Sequence, residues 1–211
     1  MTDSYVTITV HSKTELTINK SRFIGYASPC SLESEALDFI RKIKEENRTA
    51  KHNCYAYVIG ENSGIIRYND DGEPGGTAGL PILNVIRAKC IVNCCVVVTR
   101  YFGGVLLGTG GLVRAYTQSC QSALNAAGVS EMKKTTDLFC SIPYPVWDKF
   151  RYAAEYLPVQ IENIEYGSNV TFHLLYCSND KDHVLPKLQN ASDRKLNTLM
   201  QSELYIPWKI K

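Results

Sequence analysis

The chain has 211 residues, 45% hydrophobic and 21% charged, so it is long enough to bury a core as one large domain or two small ones. Its formal net charge of +2 is not that of a polyelectrolyte, and apolar runs such as Cys94–Val98 are too short to cross a bilayer. The first residues lack the basic start and the apolar run of a secretory signal. We therefore expect a cytoplasmic protein, no membrane partner, and eight cysteines present as reduced thiols.

The first predicted elements are three short strands within residues 5–29 and a helix that follows Ser31. Ser31 is a suitable N-cap, Glu33 and Glu35 fall in the first turn, and basic residues crowd the last turn, as the helix dipole favours. The apolar spacing predicts one buried stripe. It consists of Ala36, Leu37, Ile40 and Ile43.

A hairpin is predicted next, from the alternating runs HNCYAYVIG and GIIRYNDD around the turn ENSG. A breaker-rich stretch then leads into a helix through Val85 and Ile86. The continuous apolar run CIVNCCVVVTR predicts a strand buried on both faces. Adjacent Cys94 and Cys95 would face opposite sides of that strand, which favours buried small hydrophobes over a metal site with Cys90.

The region after the second glycine-rich loop predicts a helix over residues 112–127 that stops at Gly128. The polar segment 129–136 is interpreted as a linker. Beyond it, the order of predicted elements is β-α-β-β-α-β, the ferredoxin-like pattern. We therefore predict two domains, residues 1–134 and 135–211, in an α+β protein.

Two glycine-rich loops, Asn69–Gly79 and Arg100–Leu112, each precede a predicted helix. Unsatisfied N–H groups at a helix N-terminus form a natural anion site. The lysine of a phosphate-binding P-loop is missing, since Thr109 occupies its place, and the dinucleotide fingerprint lacks its third glycine. We therefore expect anion or phosphate-backbone binding rather than nucleotide hydrolysis. The candidate loop residues are Gly75, Gly76, Thr77, Gly103, Gly104, Gly108, Thr109, Gly110 and Gly111.

The most suggestive side chains are Arg100, Tyr101 and Phe102 at a strand end, with Arg114 one turn into the next helix. An arginine and two aromatic rings can grip a phosphate and stack a base. The same residue types favour a protein partner. In a third interpretation Phe102 belongs to the core and Arg100 pairs with an acidic residue of the first loop.

A polar cluster of His52, Asp70, Asp71 and Glu73 is the other candidate. Adjacent aspartates point in different directions, which favours turn and helix-terminus chemistry over a metal shell. Recognisable nucleophile motifs such as G-x-S-x-G do not occur in the sequence. We expect neither a metal nor a cofactor and lean against catalysis, with an enzyme that uses His52 and the acidic loop kept as an alternative.

At these residues the chain resembles the IMPACT/YigZ family, through the segments HNCYAY, NDDGEPGGTAGLPIL and VVVTRYFGGVLLGTGGLVRAY. The resemblance implies a first domain like the second domain of a small-subunit ribosomal protein, with a left-handed βαβ crossover. It implies a second domain like a ferredoxin-like domain of an elongation factor. Eukaryotic members of that family are translational regulators.

The expected function is therefore that of a non-enzymatic binding protein, associated with RNA or the ribosome and regulating translation. Two alternatives remain at this point. One is a hydrolase or other enzyme acting on a phosphorylated or peptide small molecule, and the other is a protein-interaction module.

Overall fold

The computed structural model describes residues 4–208, and within them the chain is an α+β protein with antiparallel sheets and five α-helices. It divides into two compact units: one comprises residues 4–131 together with Pro207 and Trp208, and the other spans Met132–Ile206.

The elements of the first unit are β1 (Ser4–Ile8), β2 (Ser12–Ile18), β3 (Ser21–Pro29), α1 (Glu33–Glu46), β4 (His52–Ile59), β5 (Ile65–Asn69), α2 (Gly79–Ala88), β6 (Cys94–Tyr101) and α3 (Gly108–Ala126). Strand β7 (Val129–Ile142) leads into α4 (Tyr144–Glu155), β8 (Val159–Tyr166), β9 (Val170–Cys177), α5 (Lys181–Ala191) and β10 (Asn197–Trp208).

The sheet of the first unit has the strand order β2-β3-β6-β4-β5, and every neighbouring pair is antiparallel. Because β3 and β4 are both antiparallel to β6, they run parallel to each other on its two sides, and α1 connects them. Strand β6 is therefore central, and residues Cys94 to Arg100 are buried. This confirms the strand predicted from its continuous apolar run.

Helices cover both faces of this sheet. Cys94 belongs to the core beneath α2 and α3, whereas Cys95 belongs to the core beneath α1. The prediction that the two thiols face opposite sides is confirmed, as the two-residue period of a strand requires.

Helix α1 differs in two details from its prediction. Its N-cap is Leu32, not Ser31, because the Glu35 carboxylate reaches back to accept the N–H groups of Ser31 at 2.7 Å and Leu32 at 3.2 Å. Leu37 was expected in the buried stripe but is 50% exposed. One residue beyond Ala36 turns the side chain by about 100° on a helix, away from the core.

In the second unit, β7, β9 and β8 are neighbours in that order, and β10 pairs with β7. Helices α4 and α5 contribute to an apolar core that includes Phe150, Phe172 and Leu188. The predicted linker at 129–136 is wrong, because β7 runs unbroken through it. Strand pairing satisfies the backbone while polar side chains remain at the surface, as in the 2.9 Å ion pair between Lys134 and Glu203.

Candidate functional site

The first glycine-rich loop is closed by the side chain of Asp70. Its Oδ1 accepts the N–H groups of Ala78 at 3.0 Å and Gly79 at 2.8 Å, and its Oδ2 accepts that of Gly76 at 2.8 Å. The N-terminus of α2 is thus already occupied by a carboxylate, which complements the helix dipole. Thr77 is buried and donates to the carbonyl of Pro74 at 2.6 Å, and Gly75 lies exposed in the same loop.

Asp71 holds this loop against β4 and α1. Its Oδ1 lies 2.7 Å from Lys44 Nζ, and its Oδ2 accepts the backbone N–H of Asn53 at 2.7 Å. Its φ of 44° lies in the left-handed region, which aspartate tolerates better than most residues. His52 Nδ1 is 2.9 Å from the Asp71 carbonyl oxygen, and because a carbonyl only accepts, this nitrogen carries the proton.

Glu73 turns inward and joins a buried polar network. Its Oε1 accepts Arg100 Nη1 and the hydroxyl of Tyr116, each at 2.8 Å. Burial and the nearby carboxylate raise the pKa of Tyr116 well above its ordinary value, so the hydroxyl keeps its proton. Burial likewise raises the pKa of the Cys54 thiol to about 12, and this thiol donates to the Asp70 carbonyl at 2.9 Å.

Arg100 therefore lies inside the protein, paired with Glu73. Its guanidinium carbon lies 5.5 Å from the ring centroid of Phe23 and 5.4 Å from that of Phe102, and its Nε is buried without a hydrogen-bond partner among the described residues. Arg100 therefore pairs with an acidic residue of the first glycine-rich loop, as the third interpretation predicts, and that residue is Glu73. Phe102, which that interpretation placed in the core, is 53% exposed.

Tyr101 does not share the side of β6 on which Arg100 and Phe102 lie. Its ring packs on the α1 side, its hydroxyl donates to Asn47 Oδ1 at 3.0 Å, and the Arg22 guanidinium lies 5.1 Å from its centroid. Tyr101 therefore does not act together with Arg100 and Phe102 as predicted, because successive residues of a pleated strand point to opposite faces.

The second glycine-rich loop begins with a close backbone approach at Gly103. A Cβ atom at this position would lie 1.9 Å from the carbonyl oxygen of Lys20. Gly103 N–H also donates to Ser21 Oγ at 3.2 Å, which ties the loop to the β2–β3 turn. Gly104 follows with a φ of 85°, a conformation that glycine adopts without strain.

The N-terminus of α3 is open, unlike that of α2. The helix starts at Gly108, four residues before the start of the helix predicted over residues 112–127. Within residues 4–208, no side chain accepts from the N–H groups of this first turn, and a Cβ at Gly108 or Gly110 would meet no atom within 4 Å. Thr109 is exposed beside them. Arg114 is also exposed, and it shares a helix face with Gly110 and Gly111.

Exposed apolar residues between Gly104 and the start of α3 were not predicted from the sequence. Val105 is 39% exposed and Leu106 is 86% exposed, beside the exposed ring of Phe102. Both residues follow the glycine pair Gly103 and Gly104, and nothing in their spacing indicates that their side chains face outward. Tyr116 was also missed as a network member, because its helical period explains it equally well as core.

The four residues of the predicted polar cluster do not combine into a catalytic arrangement. Asp70 and Asp71 accept backbone N–H groups, His52 donates to a carbonyl, and Glu73 is paired with Arg100. Among the described residues, no group of three or more His, Cys, Asp and Glu side chains is placed to hold a metal ion. No helix within residues 4–208 has the length and apolar character to span a membrane.

The fold and the site together define a class of α+β protein in which a glycine-rich loop follows the central strand of an antiparallel sheet and opens into an uncapped helix. The chain belongs to the IMPACT family. The profile of the Impact N-terminal domain matches residues 19–124, half of the chain, and this segment contains both glycine-rich loops.

Relatives are found in bacteria and eukaryotes. The chain is 45% identical over 172 residues to the IMPACT family member YvyE of Bacillus subtilis, covering 82% of this chain and 79% of that protein. It is 41% identical over 109 residues to the IMPACT family member YigZ of Escherichia coli, covering 51% of this chain and 53% of that one. A Dictyostelium discoideum protein named Protein IMPACT homolog is 35% identical over 105 residues, 47% of this chain and 30% of its own length.

A solved structure has a similar fold over nearly the whole chain. It is titled as a crystal structure of a hypothetical protein, and it covers 93% of this chain and 97% of its own, with a TM-score of 0.61 and 28% sequence identity. The similarity extends through both compact units, so the second unit is part of the shared fold.

Proposed function

We propose that this protein is a non-enzymatic, cytoplasmic binding protein that contacts RNA or the ribosome and regulates translation. The observation that carries the proposal is the open first turn of α3, whose backbone N–H groups have no side-chain acceptor among the described residues. Such a turn attracts an anion, because the helix dipole adds partial positive charge to the N–H donors.

The comparison with the other two long helices of the first unit supports this assignment. Glu35 occupies the start of α1, and Asp70 occupies the start of α2. At the start of α3, a Cβ at Gly108 or Gly110 would meet no described atom within 4 Å, so a phosphate can approach the backbone closely there. The proposal therefore uses the second glycine-rich loop and not the first.

Two side chains extend this anion site. Phe102 presents an exposed ring for a base, and the buried Arg100 guanidinium holds that ring from beneath at 5.4 Å. Arg114, on the same helix face as Gly110 and Gly111, supplies the exposed cation that Arg100 does not.

The fold of each unit is consistent with the same proposal. In the second unit, the order β7-α4-β8-β9-α5-β10 with sheet neighbours β10-β7-β9-β8 supports a ferredoxin-like domain of the elongation-factor kind. In the first unit, β3-α1-β4 is the connection at which we infer the left-handed crossover of the ribosomal-protein-like fold. We place the boundary between the two domains near Lys134.

The experiment is a filter-binding titration with structured RNA and a ribosome sedimentation assay. Gly110→Asp puts a carboxylate into the open turn, where it competes with phosphate and is tolerated by the helix dipole. We expect it to weaken RNA binding about tenfold, while Gly110→Asn, of nearly the same shape, has a smaller effect. Absence of salt-sensitive binding to RNA and to ribosomes would refute the proposal.

A second candidate, a protein-interaction module, is favoured by the exposure of Phe102, Val105 and Leu106. Exposed apolar side chains grouped in one loop are typical of protein contacts. A Leu106→Ser variant separates the two candidates. Loss of a nuclease-resistant partner with RNA binding retained would support the protein partner.

A further inference from the structure

A groove of about 390 Å³ lies between α2 and α3 in the first unit. Its walls come from residues that are spaced about one helical turn apart: Leu80 and Asn84 on α2, and Val113, Thr117 and Gln121 on α3. Ligand sites for small molecules have volumes of roughly 300 to 1,000 Å³. The groove is therefore large enough to hold one ring system between the two helices.

The two helices begin at the same end of this groove. Cys120 Sγ of α3 lies 3.7 Å from the carbonyl oxygen of Ile82 in α2. Further along both helices, Lys89 Nζ lies 3.4 Å from Asn125 Oδ1. Because these contacts advance in the same direction along the two helices, α2 and α3 run parallel.

Both glycine-rich loops border the end at which the helices begin. Gly76 of the first loop lines the groove, and a Cβ at this position would meet no described atom within 4 Å. In the second loop, Gly110 lies on the face of α3 that carries Val113 and Thr117, and Val113 is about 4.5 Å further along the helix axis. The groove therefore begins within one turn of the N–H groups to which we assign a phosphate.

The lining of the groove is nearly uncharged. Lys89, at the end away from the glycine-rich loops, is the one charged side chain among the described residues that line it. Pro81 and Val85 are buried beneath the groove, while Leu80 and Val113 are 36% and 37% exposed, so apolar surface is open to a ligand. Such a lining favours an uncharged ring over a phosphate.

Two side-chain amides supply the hydrogen-bonding groups of the groove. Asn84 and Gln121 are exposed, they come from opposite walls, and neither amide has a hydrogen-bond partner within residues 4–208. A carboxamide offers one acceptor oxygen and two N–H donors, so it can pair with the edge of a base, and adenine suits it best. Amides on two sides of an apolar floor therefore match a flat ring with donors and acceptors at its edge.

We propose that the groove between α2 and α3 holds an unpaired adenine of RNA, in the same strand whose phosphate lies on the first turn of α3. This inference rests on the proposed function and extends it, since the exposed ring of Phe102 is assigned to a different base. Proteins recognise RNA sequence chiefly through unstacked bases of single strands. The groove therefore gives the protein a preference for single strands over duplex RNA.

Fluorescence anisotropy of the full chain tests the proposal with two probes: an oligoadenylate of about five nucleotides, and the same sugar–phosphate strand without its bases. We expect the abasic strand to bind at least about tenfold more weakly than the oligoadenylate. In a Phe102→Leu variant the oligoadenylate should still bind at least about threefold more tightly than the abasic strand, because the groove keeps its base.

Gln121→Met keeps the length of the side chain and removes its amide. It should weaken oligoadenylate binding about threefold to tenfold, and more than it weakens binding of the abasic strand. Gln118→Met is the matched control, since Gln118 is an exposed glutamine of the same helix that does not line the groove. Asn84→Leu makes the same test from the wall that α2 provides.

The proposal is overturned if the abasic strand binds as tightly as the oligoadenylate, or if Gln121→Met and Gln118→Met bind the oligoadenylate equally well. It is also overturned if Phe102→Leu removes the whole difference between the two strands, because the base then lies on that ring alone. In each of these cases RNA binding itself, and with it the proposed function, remains intact. Failure of all RNA binding instead refutes the proposed function and this inference with it. Loss of a nuclease-resistant protein partner in Gln121→Met, with RNA affinity unchanged, overturns the inference too and assigns the groove to a protein.

Discussion

Arg100 Nη1 lies 2.8 Å from Glu73 Oε1, and both side chains are buried. This pair joins the central strand to the loop that precedes α2, and Tyr116 adds a contact from α3. The arginine that looked most suited to a phosphate is thus part of the internal framework that positions the exposed Phe102.

Glu73→Ala should lower the free energy of unfolding by about 3 to 5 kcal/mol, because it leaves the Arg100 charge buried without its counterion. Urea denaturation measures the loss. The double variant Glu73→Ala with Arg100→Met should recover at least about 1 kcal/mol of it, since no charge is then stranded. A single variant as stable as the original chain would contradict the structural role of the pair.

Gly103→Ala and Gly110→Ala should have opposite effects although both lie in one loop region. The first places a methyl group 1.9 Å from the Lys20 carbonyl oxygen and should cost about 1 to 3 kcal/mol or more. The second enters open space within the first turn of α3 and should be neutral or stabilise by up to about 1 kcal/mol. Thermal unfolding of both variants side by side is the measurement. Equal changes in the unfolding temperature of the two variants would contradict the close approach of Gly103 to the Lys20 backbone.

Asp70→Ala should destabilise the protein by about 1 to 2 kcal/mol, because the N–H groups of Gly76 in the loop and of Ala78 and Gly79 at the start of α2 lose their acceptor. Asp38→Ala is the control, since the exposed ion pair with Arg41 should be worth less than about 1 kcal/mol. Hydrogen exchange should also speed up at Ala78 and Gly79 in the Asp70 variant. Unchanged protection there would argue that the loop is closed by other contacts.

Thiol reactivity should divide the cysteines by burial. Cys90 is exposed and Cys177 is partly exposed, whereas the other six are buried, and burial raises the pKa of Cys54 to about 12 and that of Cys140 to about 11. At pH 8 we expect a thiol reagent to label Cys90 rapidly and the buried thiols only after denaturant is added. Rapid labelling of all eight in the native protein would contradict the burial.

The raised pKa of Cys54 also has a consequence for stability. The folded state holds this proton more tightly than the unfolded state, so the contribution is complete below the ordinary thiol pKa of about 9 and is lost as the pH rises towards 12. Denaturation midpoints measured between pH 8 and pH 11 should decline, and Cys54→Ala should make that decline shallower. An identical pH profile in the variant would show that Cys54 does not titrate on unfolding.

Much of the architecture was predictable from the chain itself, for reasons visible in particular segments. The continuous apolar run before Arg100 predicts the central strand, and the alternation in HNCYAYVIG predicts its neighbour. The linker predicted over 129–136 is wrong, because a polar sequence does not prevent a strand from pairing. Side chains such as Lys134 can keep their charges in solvent while the backbone forms a strand.

The contacts of the candidate site were harder to predict from the sequence than the strands and helices. The period of a strand by itself separates Tyr101 from Arg100 and Phe102, so that error was avoidable. The partners of Arg100 were not, since Glu73 and Tyr116 lie far from it along the chain. The outward orientation of Leu106 carries no local signal either.

By itself, the sequence determined the apolar periodicity, the positions of the glycines and the absence of a P-loop lysine, since these depend only on residue type and spacing. Only the tertiary structure decided which polar groups satisfy each other and which remain open. Asp70 closes one glycine-rich loop, while the start of α3 stays accessible. The physical reason is that a buried charge must find its counterion wherever the fold brings one within reach, and that distance is a property of packing between remote segments.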